Sequence, residues 1–420
     1  MKTIDFISSY FFAKKAIKDI KFVQEQVLKD IISIAKNSKK GKEGFYNNIN
    51  SLDDIVNLPI MDFNDIKDNI EEVRNGLPYN FSTFPVKYLF STSGTTGEAK
   101  LIPGTQLRDL STIKETATMF AYHQNLNYLL KSYFSGKTLL FVAQPIKSNQ
   151  QIPIMNISGY QTLNVPKLMK NNIAIDEKII QMQQCQEKDD LIITSALNSN
   201  LSHFALTNAN AFLRLYEKLI NNWDEYVSKT NGKRKKDLIK LKKLNIDNIW
   251  PNLSLISAYK SKDNLHHLNL LLNKINKPIF TQEAGFNTSE ARITVPSGIH
   301  GSYAYLSTTS GIFLGREIKY DNKGNKYLGD FLTADKLTQP GIKIQAYVMT
   351  YDLPFLYSTG DEFITGESLG QVPSLSFLGR NKVDNLMNSH TLISDLNQMP
   401  YIVNEKLNLP IRSYAVTKLE

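Results

Sequence analysis

The residues best suited to chemistry lie in one stretch, Lys87 to Pro103, KYLFSTSGTTGEAKLIP. Tyr88, Leu89 and Phe90 read as a short strand, and a second apolar step follows Lys100. Between them, the hydroxyls of Ser91, Thr92, Ser93, Thr95 and Thr96 can each donate and accept hydrogen bonds. Gly94 and Gly97 let main-chain N–H groups close around an anion, and Lys100 adds a full positive charge. The set suits a cluster of phosphate oxygens. A solvated Ser/Gly loop is the ordinary alternative, but it needs neither the lysine nor so many hydroxyls between two apolar steps. The G-x-x-x-x-G-K-[ST] phosphate loop is absent, because no Lys-Ser or Lys-Thr follows a glycine at that spacing.

The elements that must position this loop alternate between helix and strand. Residues 1–75 read as mostly helical, with helix starts at Ser51 and at Asp62 or Asn64, each followed by acidic residues. Beyond the loop, 105–131 has helical periodicity, and KTLLFVAQP (137–145) reads as a buried strand because its apolar residues are continuous. IDEKIIQMQQ reads as helix and LIITSA as strand. The segment 201–227, LSHFALTNANAFLRLYEKLINNWDEYV, reads as one long helix with His203 and Phe204 near its start. NLSLISAY and the start of KPIFTQEAGFNTSEARITVP read as strands, and 300–350 alternates as β-hairpins do. The expected fold class is α/β, with mixed sheets flanked by helices.

STSGTTGEAK closely resembles the phosphate loop of the adenylate-forming superfamily, and the trailing LIP resembles the version in the auxin-responsive acyl-acid amido synthetases. LPIMDFNDIKDNIEEVRNG is similar to the segment that leads into that loop in the same family. WPNLSLISAY resembles the strand entering the adenine-binding loop, which implies a nucleotide contact at Tyr259; Lys260, Ser261, Lys262 and Asp263 stand where the family usually has glycines. The resemblance assigns Phe286 a place beside adenine, Ser289 the α-phosphate and Glu290 a Mg²⁺ ion. DLPFLYSTGDEFITG matches the Y-x-x-G-D motif, which implies that Asp361 grips the ribose hydroxyls; Arg380, in FLGRNK, would reach the ribose or phosphate. His203 and Phe204 fall where the family lines its acyl pocket, although a packed core helix explains them equally well.

The resemblance spans roughly residues 50–395. It implies ATP and Mg²⁺ as cofactors, a small carboxylic acid as first substrate and an amino acid as the second. A coenzyme A ligase of the phenylacetate-activating type, or a weakly catalytic nucleotide or acyl-adenylate binding protein, are the alternatives. The expected organisation is an adenylate-forming large domain over 1–379, with a helical lead-in (1–85) and a β-rich portion (300–378). Residues 380–420 would hold a hinge, at Lys382 or Asp384, and only the start of a small C-terminal domain.

Composition narrows the field further. One cysteine, Cys185, excludes an internal disulfide and suits a reducing, cytoplasmic setting. No apolar run approaches the length of a membrane span or an export signal. The N-terminal IDFISSYFFAKKAI is amphipathic and is expected to pack on its own domain. The net charge of +9 has its densest patch in NGKRKKDLIKLKK (231–243), which lacks the interleaved aromatics of a nucleic-acid surface and reads as a solvated helix face.

Overall fold

The computed structural model describes residues 2–92, 100–141, 151–164, 170–260, 262–299 and 301–380. Helices α1 (Lys2–Ala16) and α2 (Ile20–Ala35) open the chain; Asp19 caps α2 by accepting the Phe22 N–H. Ser51 caps only a 3-10 turn (Leu52–Asn57), whereas Asp62, after β1 (Ile60–Met61), starts α3 (Phe63–Arg74) through a reciprocal bond pair with Asp65. Strands β2 (Tyr88–Ser91) and β3 (Leu101–Gly104) pair antiparallel as a hairpin, with Ser91 opposite Leu101.

The helix expected over 105–131 is in fact two, α4 (Leu107–Tyr122) and α5 (Leu126–Ser135). His123 and Asn125 break it because their side chains bond elsewhere, His123 to Gln282 at 2.7 Å and Asn125 to the Gly298 carbonyl at 2.6 Å. Helix α1 lies along α4, with Phe6 edge-on to Phe120.

Next come β4 (Lys137–Phe141), β5 (Ile154–Met155) and α6 (Ile157–Leu163). Two expectations fail after them. LIITSA belongs to α7 (Gln186–Asn198), since a short apolar run does not by itself separate a strand from a buried helix segment. LSHFAL is β6 (Leu201–Leu206), and the helix α8 (Ala209–Asn221) begins only after Asn208, whose side chain accepts the Ala211 N–H. The basic run forms the short α9 (Gly232–Ile239), with Leu238 buried and Arg234 bonded to the Leu197 carbonyl. Then follow β7 (Leu255–Ala258), α10 (Lys262–Leu272) and β8 (Phe280–Glu283). The β-rich part holds β9 (Thr294–Val295), β10 (Ala304–Leu306), β11 (Gly311–Tyr320), β12 (Lys326–Thr333), β13 (Lys343–Thr350), β14 (Leu356–Leu369) and β15 (Val372–Arg380).

These strands make three sheets. β4-β6-β7-β8 is wholly parallel, β3-β2-β5 is a small platform, and the largest runs β12-β11-β13-β14-β15-β10-β9 with β1 added on β14. Loops that carry function in parallel sheets leave the carboxyl ends of the strands, and here those ends lead to Tyr259 and to the Gly285–Glu290 loop.

One face of the parallel sheet is apolar. Leu139, Phe204 and Ile256 pack there with residues of α7 and α8 and with Trp250. Its other face carries a continuous polar line. The Asn125 N–H donates to His123 Nδ1, so His123 Nε2–H donates to Gln282; Gln282 donates to Ser257, and Ser257 bonds His203 Nε2 at 2.8 Å. His203 Nδ1 then reaches Thr138. Burial pushes the His203 imidazole down to about 3, so it is neutral with both nitrogens engaged.

Phe204 is fully buried against Phe212 and Trp250. Phe204→Ala is expected to cost about 3–5 kcal/mol, read as a lower denaturation midpoint with an unchanged denaturant slope.

Candidate active site

The β2–β3 hairpin is closed at its base by Thr92 and Lys100. The Thr92 N–H donates to the Lys100 carbonyl at 3.0 Å, and the Lys100 N–H returns to Thr92 Oγ1 at 3.1 Å. Ser93, Gly94, Thr95, Thr96 and Gly97 lie outside the described residues. The Lys100 ammonium sits 5.8 Å from the centre of the Phe63 ring, at the start of α3. Ser91 is half-buried and presents its carbonyl to Ser289 Oγ at 3.3 Å, which joins the hairpin to the loop after β8.

That loop is itself braced. The Phe286 N–H donates to Thr294 Oγ1 at 2.7 Å, and Thr288 and Ala291 exchange hydrogen bonds around the turn. The Phe286 ring stacks on Phe377 of β15, with centroids 4.5 Å apart, and meets Phe363 of β14 edge-on. Buried Glu290 accepts a hydrogen bond from the Tyr357 hydroxyl. Burial first, and then the charges of Glu290 and Asp62, hold that phenol far above its usual range.

Asp361 completes the set from β14. It faces Arg380 across the β14–β15 ladder, and Arg380 Nε donates to its carboxylate at 2.7 Å. Gly360, just before it, has φ +72°, a turn that a side chain would strain. Asp361 is buried, and loss of hydration pushes its carboxyl up to about 6; Arg380 opposes the rise and nearby Glu290 adds to it. Two acidic groups thus lie close enough to repel each other, beside a cation that is partly in water.

Just after β7, Lys260 is buried. Its side chain folds back along β8, with Nζ on the Thr281 carbonyl and hydroxyl at 3.0 and 3.1 Å. Its N–H, with that of Gly285, binds the Glu283 carboxylate. Burial lifts Glu283 to about 7. Tyr259, beside it, is held above its usual range by burial, with Arg292 opposing.

Of the expected site residues, Ser91, Thr92 and Lys100 lie at the hairpin base, Ser289 meets Ser91, Glu290 lies near Asp361 of β14, and Asp361 pairs with Arg380 at the end of β15, with Phe286 alongside. His203 and Phe204 are not on a helix, and this is a correction. They lie on β6, Phe204 inside the apolar core and His203 locked in the polar line. Sequence reading missed Tyr357, Glu283, Arg108 and Arg292. Arg108 and Glu115 share one face of α4 two turns apart and both are buried, so charges at that spacing on an otherwise amphipathic helix were the available signal.

The fold is similar to that of two solved acyl acid amido synthetases. With "GH3.15 acyl acid amido synthetase" the TM-score is 0.75 at 16% identity, over 94% of this chain and 74% of that one. With "AtGH3.15 acyl acid amido synthetase in complex with 2,4-DB" it is 0.69 at 17% identity, over 89% and 70%. Residues 12–242, more than half of the chain, match the GH3 family N-terminal domain. The chain belongs to the GH3 family. No curated protein sequence matches it. Among the described residues, no helix is long and apolar enough to cross a membrane.

Proposed function

We propose that this protein uses ATP to convert a small carboxylic acid to its acyl-adenylate and then passes the acyl group to the amine of an amino acid. The observation that carries this is the meeting of the Ser289–Glu290 loop with Ser91 of the hairpin on one side and with Tyr357 and Asp361 of β14 on the other.

A carboxylate is a poor acyl donor, because oxide would have to leave. When one of its oxygens attacks the α-phosphorus of ATP, the bond to the β-phosphate breaks and pyrophosphate departs. The acyl group is then bonded to AMP, a good leaving group. The obstacle is the approach of two anions, so positioning and charge neutralisation do most of the catalysis. Lys100 and the hairpin hold the outgoing pyrophosphate, Ser289 donates to the α-phosphate, and Asp361 accepts the ribose hydroxyls, with Arg380 beside them. Phe286 and Tyr259 flank the adenine. Mg²⁺, when bound, neutralises phosphate charge; Glu290, a buried hard-oxygen donor oriented by Tyr357, suits that ion. An amine then attacks the acyl carbon and AMP leaves.

The large domain ends at 379 in this reading, and 380–420 carries the hinge, at Lys382 or Asp384; residues 381–420 lie outside the described residues. The single cysteine fits a cytoplasmic setting.

The test is ATP–pyrophosphate exchange across a panel of carboxylic acids that includes 2,4-DB. Acid-dependent exchange, lowered at least ~10²-fold in Lys100→Ala, is expected. Retained AMP binding with no exchange on any acid would make the protein a nucleotide-binding module instead. Supplying the adenylate with amino acids or with coenzyme A then separates amide from thioester formation.

A further inference from the structure

We propose that Arg108 is a positioning residue that fixes the Ser289–Glu290 peptide groups against the phosphate hairpin, an assignment that rests on the adenylation reading above. Arg108 opens α4 and is 3% exposed. Its two terminal nitrogens divide between two successive carbonyls, Nη1 donating to Glu290 O at 3.2 Å and Nη2 to Ser289 O at 3.3 Å. A planar fork can bridge adjacent carbonyls in this way, whereas an ammonium offers one point of attachment. With those carbonyls turned toward Arg108, the side chains are committed elsewhere. Ser289 Oγ reaches Ser91, and the Glu290 carboxylate reaches the Tyr357 hydroxyl.

The guanidinium is also tied to the hairpin. It lies 5.3 Å from the centre of the Phe90 ring, one residue before Ser91. A buried cation persists only where opposite charge compensates it. Glu115 and Asp352 supply that charge, and Asp352 is in turn held by the N–H and hydroxyl of Thr105, at 2.9 and 2.8 Å. Glu115 also pairs at 3.4 Å with Arg292, two residues beyond Glu290, and Arg292 donates to Gln161. One cation therefore joins the strand that feeds the phosphate loop to the loop that would meet the α-phosphate and the metal. Displacing reacting groups by ~1 Å costs on the order of 10²-fold in rate, so such a joint matters to catalysis without touching substrate.

The experiment compares wild type with Arg108→Lys in the full chain. It measures acid-dependent pyrophosphate exchange as a function of Mg²⁺ and ATP, and hydrogen–deuterium exchange of the 286–293 segment without nucleotide. Expected are a fall in kcat of ~10- to 100-fold, a half-saturating Mg²⁺ concentration raised at least ~5-fold, and an ATP KM within ~3-fold of wild type. The Thr288, Ala291 and Ile293 amides, bonded within the turn, should exchange faster. An unchanged Mg²⁺ requirement, or unchanged protection of those amides, would overturn the assignment. If Arg108→Lys does not fold, Glu115→Gln, which removes a counter-charge and leaves the fork in place, should shift Mg²⁺ demand and amide protection the same way; no shift in either would overturn it. If wild type exchanges with no acid, the adenylation reading fails by itself, and the amide protection alone decides the role of Arg108.

Discussion

Glu290→Gln is expected to lower acid-dependent pyrophosphate exchange by about 10²- to 10³-fold, equivalent to ~3–4 kcal/mol of transition-state stabilisation, while leaving the fold intact. The substitution keeps the volume of a buried side chain and keeps an oxygen able to accept from Tyr357. What it removes is the negative charge that would hold a divalent cation on the phosphates. Because that cation neutralises charge that shifts as the α-phosphorus is attacked, the loss should appear in kcat at saturating ATP, with a raised Mg²⁺ requirement. Thermal melting should show little change. A variant with wild-type exchange at low Mg²⁺ would remove Glu290 from the proposed metal role.

Asp361→Asn is expected to weaken ATP binding by ~10- to 100-fold and, unusually for a buried substitution, to raise the stability of the nucleotide-free protein at pH 7.5. The carboxyl stands near 6 in the fold against 3.8 for an unperturbed aspartate, chiefly because burial removes its hydration. Its neutral form is therefore the one that folding favours. The stability it contributes is fully present below 3.8 and is lost as pH rises through about 6. At pH 7.5 the ionised group costs ~3 kcal/mol at most, which Asn does not incur. Arg380 loses its partner in the variant, but its side chain is 44% exposed and water offsets part of that loss. The melting-temperature advantage of Asp361→Asn should thus be clear at pH 7.5 and shrink toward pH 4. An advantage that is constant with pH would contradict the burial account. A destabilising buried carboxylate is what the proposed ribose role of Asp361 would trade stability for.

The legible parts of the chain were those in which local chemistry and tertiary role agree. Strands β2 and β3 were legible as apolar steps flanking a hydroxyl-rich stretch, and the strands after 300 as apolar–polar alternation in the sequence between Gly and Asp-Asn turns. Of the two candidates for the start of α3, Asp62 and Asn64, the cap is Asp62. LSHFAL was misread because a central parallel strand is buried on both faces. Its residues divide between an apolar core and a hydrogen-bonded line that only β4, β7 and β8 can complete. The break between α4 and α5 was hidden for a similar reason, since His123 and Asn125 leave the helix for partners some 160 to 170 positions away.

The site was read as a set of motifs, and what escaped was the support behind them. Phe286, Ser289, Glu290 and Asp361 sit in recognisable local patterns, whereas the charge spacing that marks Arg108 on α4 does not name the loop 181 residues downstream on which it acts. Tyr357 belongs to the same Y-x-x-G-D stretch as Asp361, yet its bond to Glu290 exists only because β14 passes the loop after β8. Long-range polar contacts of this kind follow from topology, not from spacing along the chain.

The most direct test of the central claim is a crystal structure of the chain with ATP and Mn²⁺ in place of Mg²⁺, read by anomalous scattering. The account predicts a metal peak in coordination contact with the Glu290 carboxylate, phosphates under the β2–β3 hairpin and the ribose hydroxyls on Asp361. A nucleotide bound with its metal away from Glu290 and its ribose away from Asp361 would contradict it.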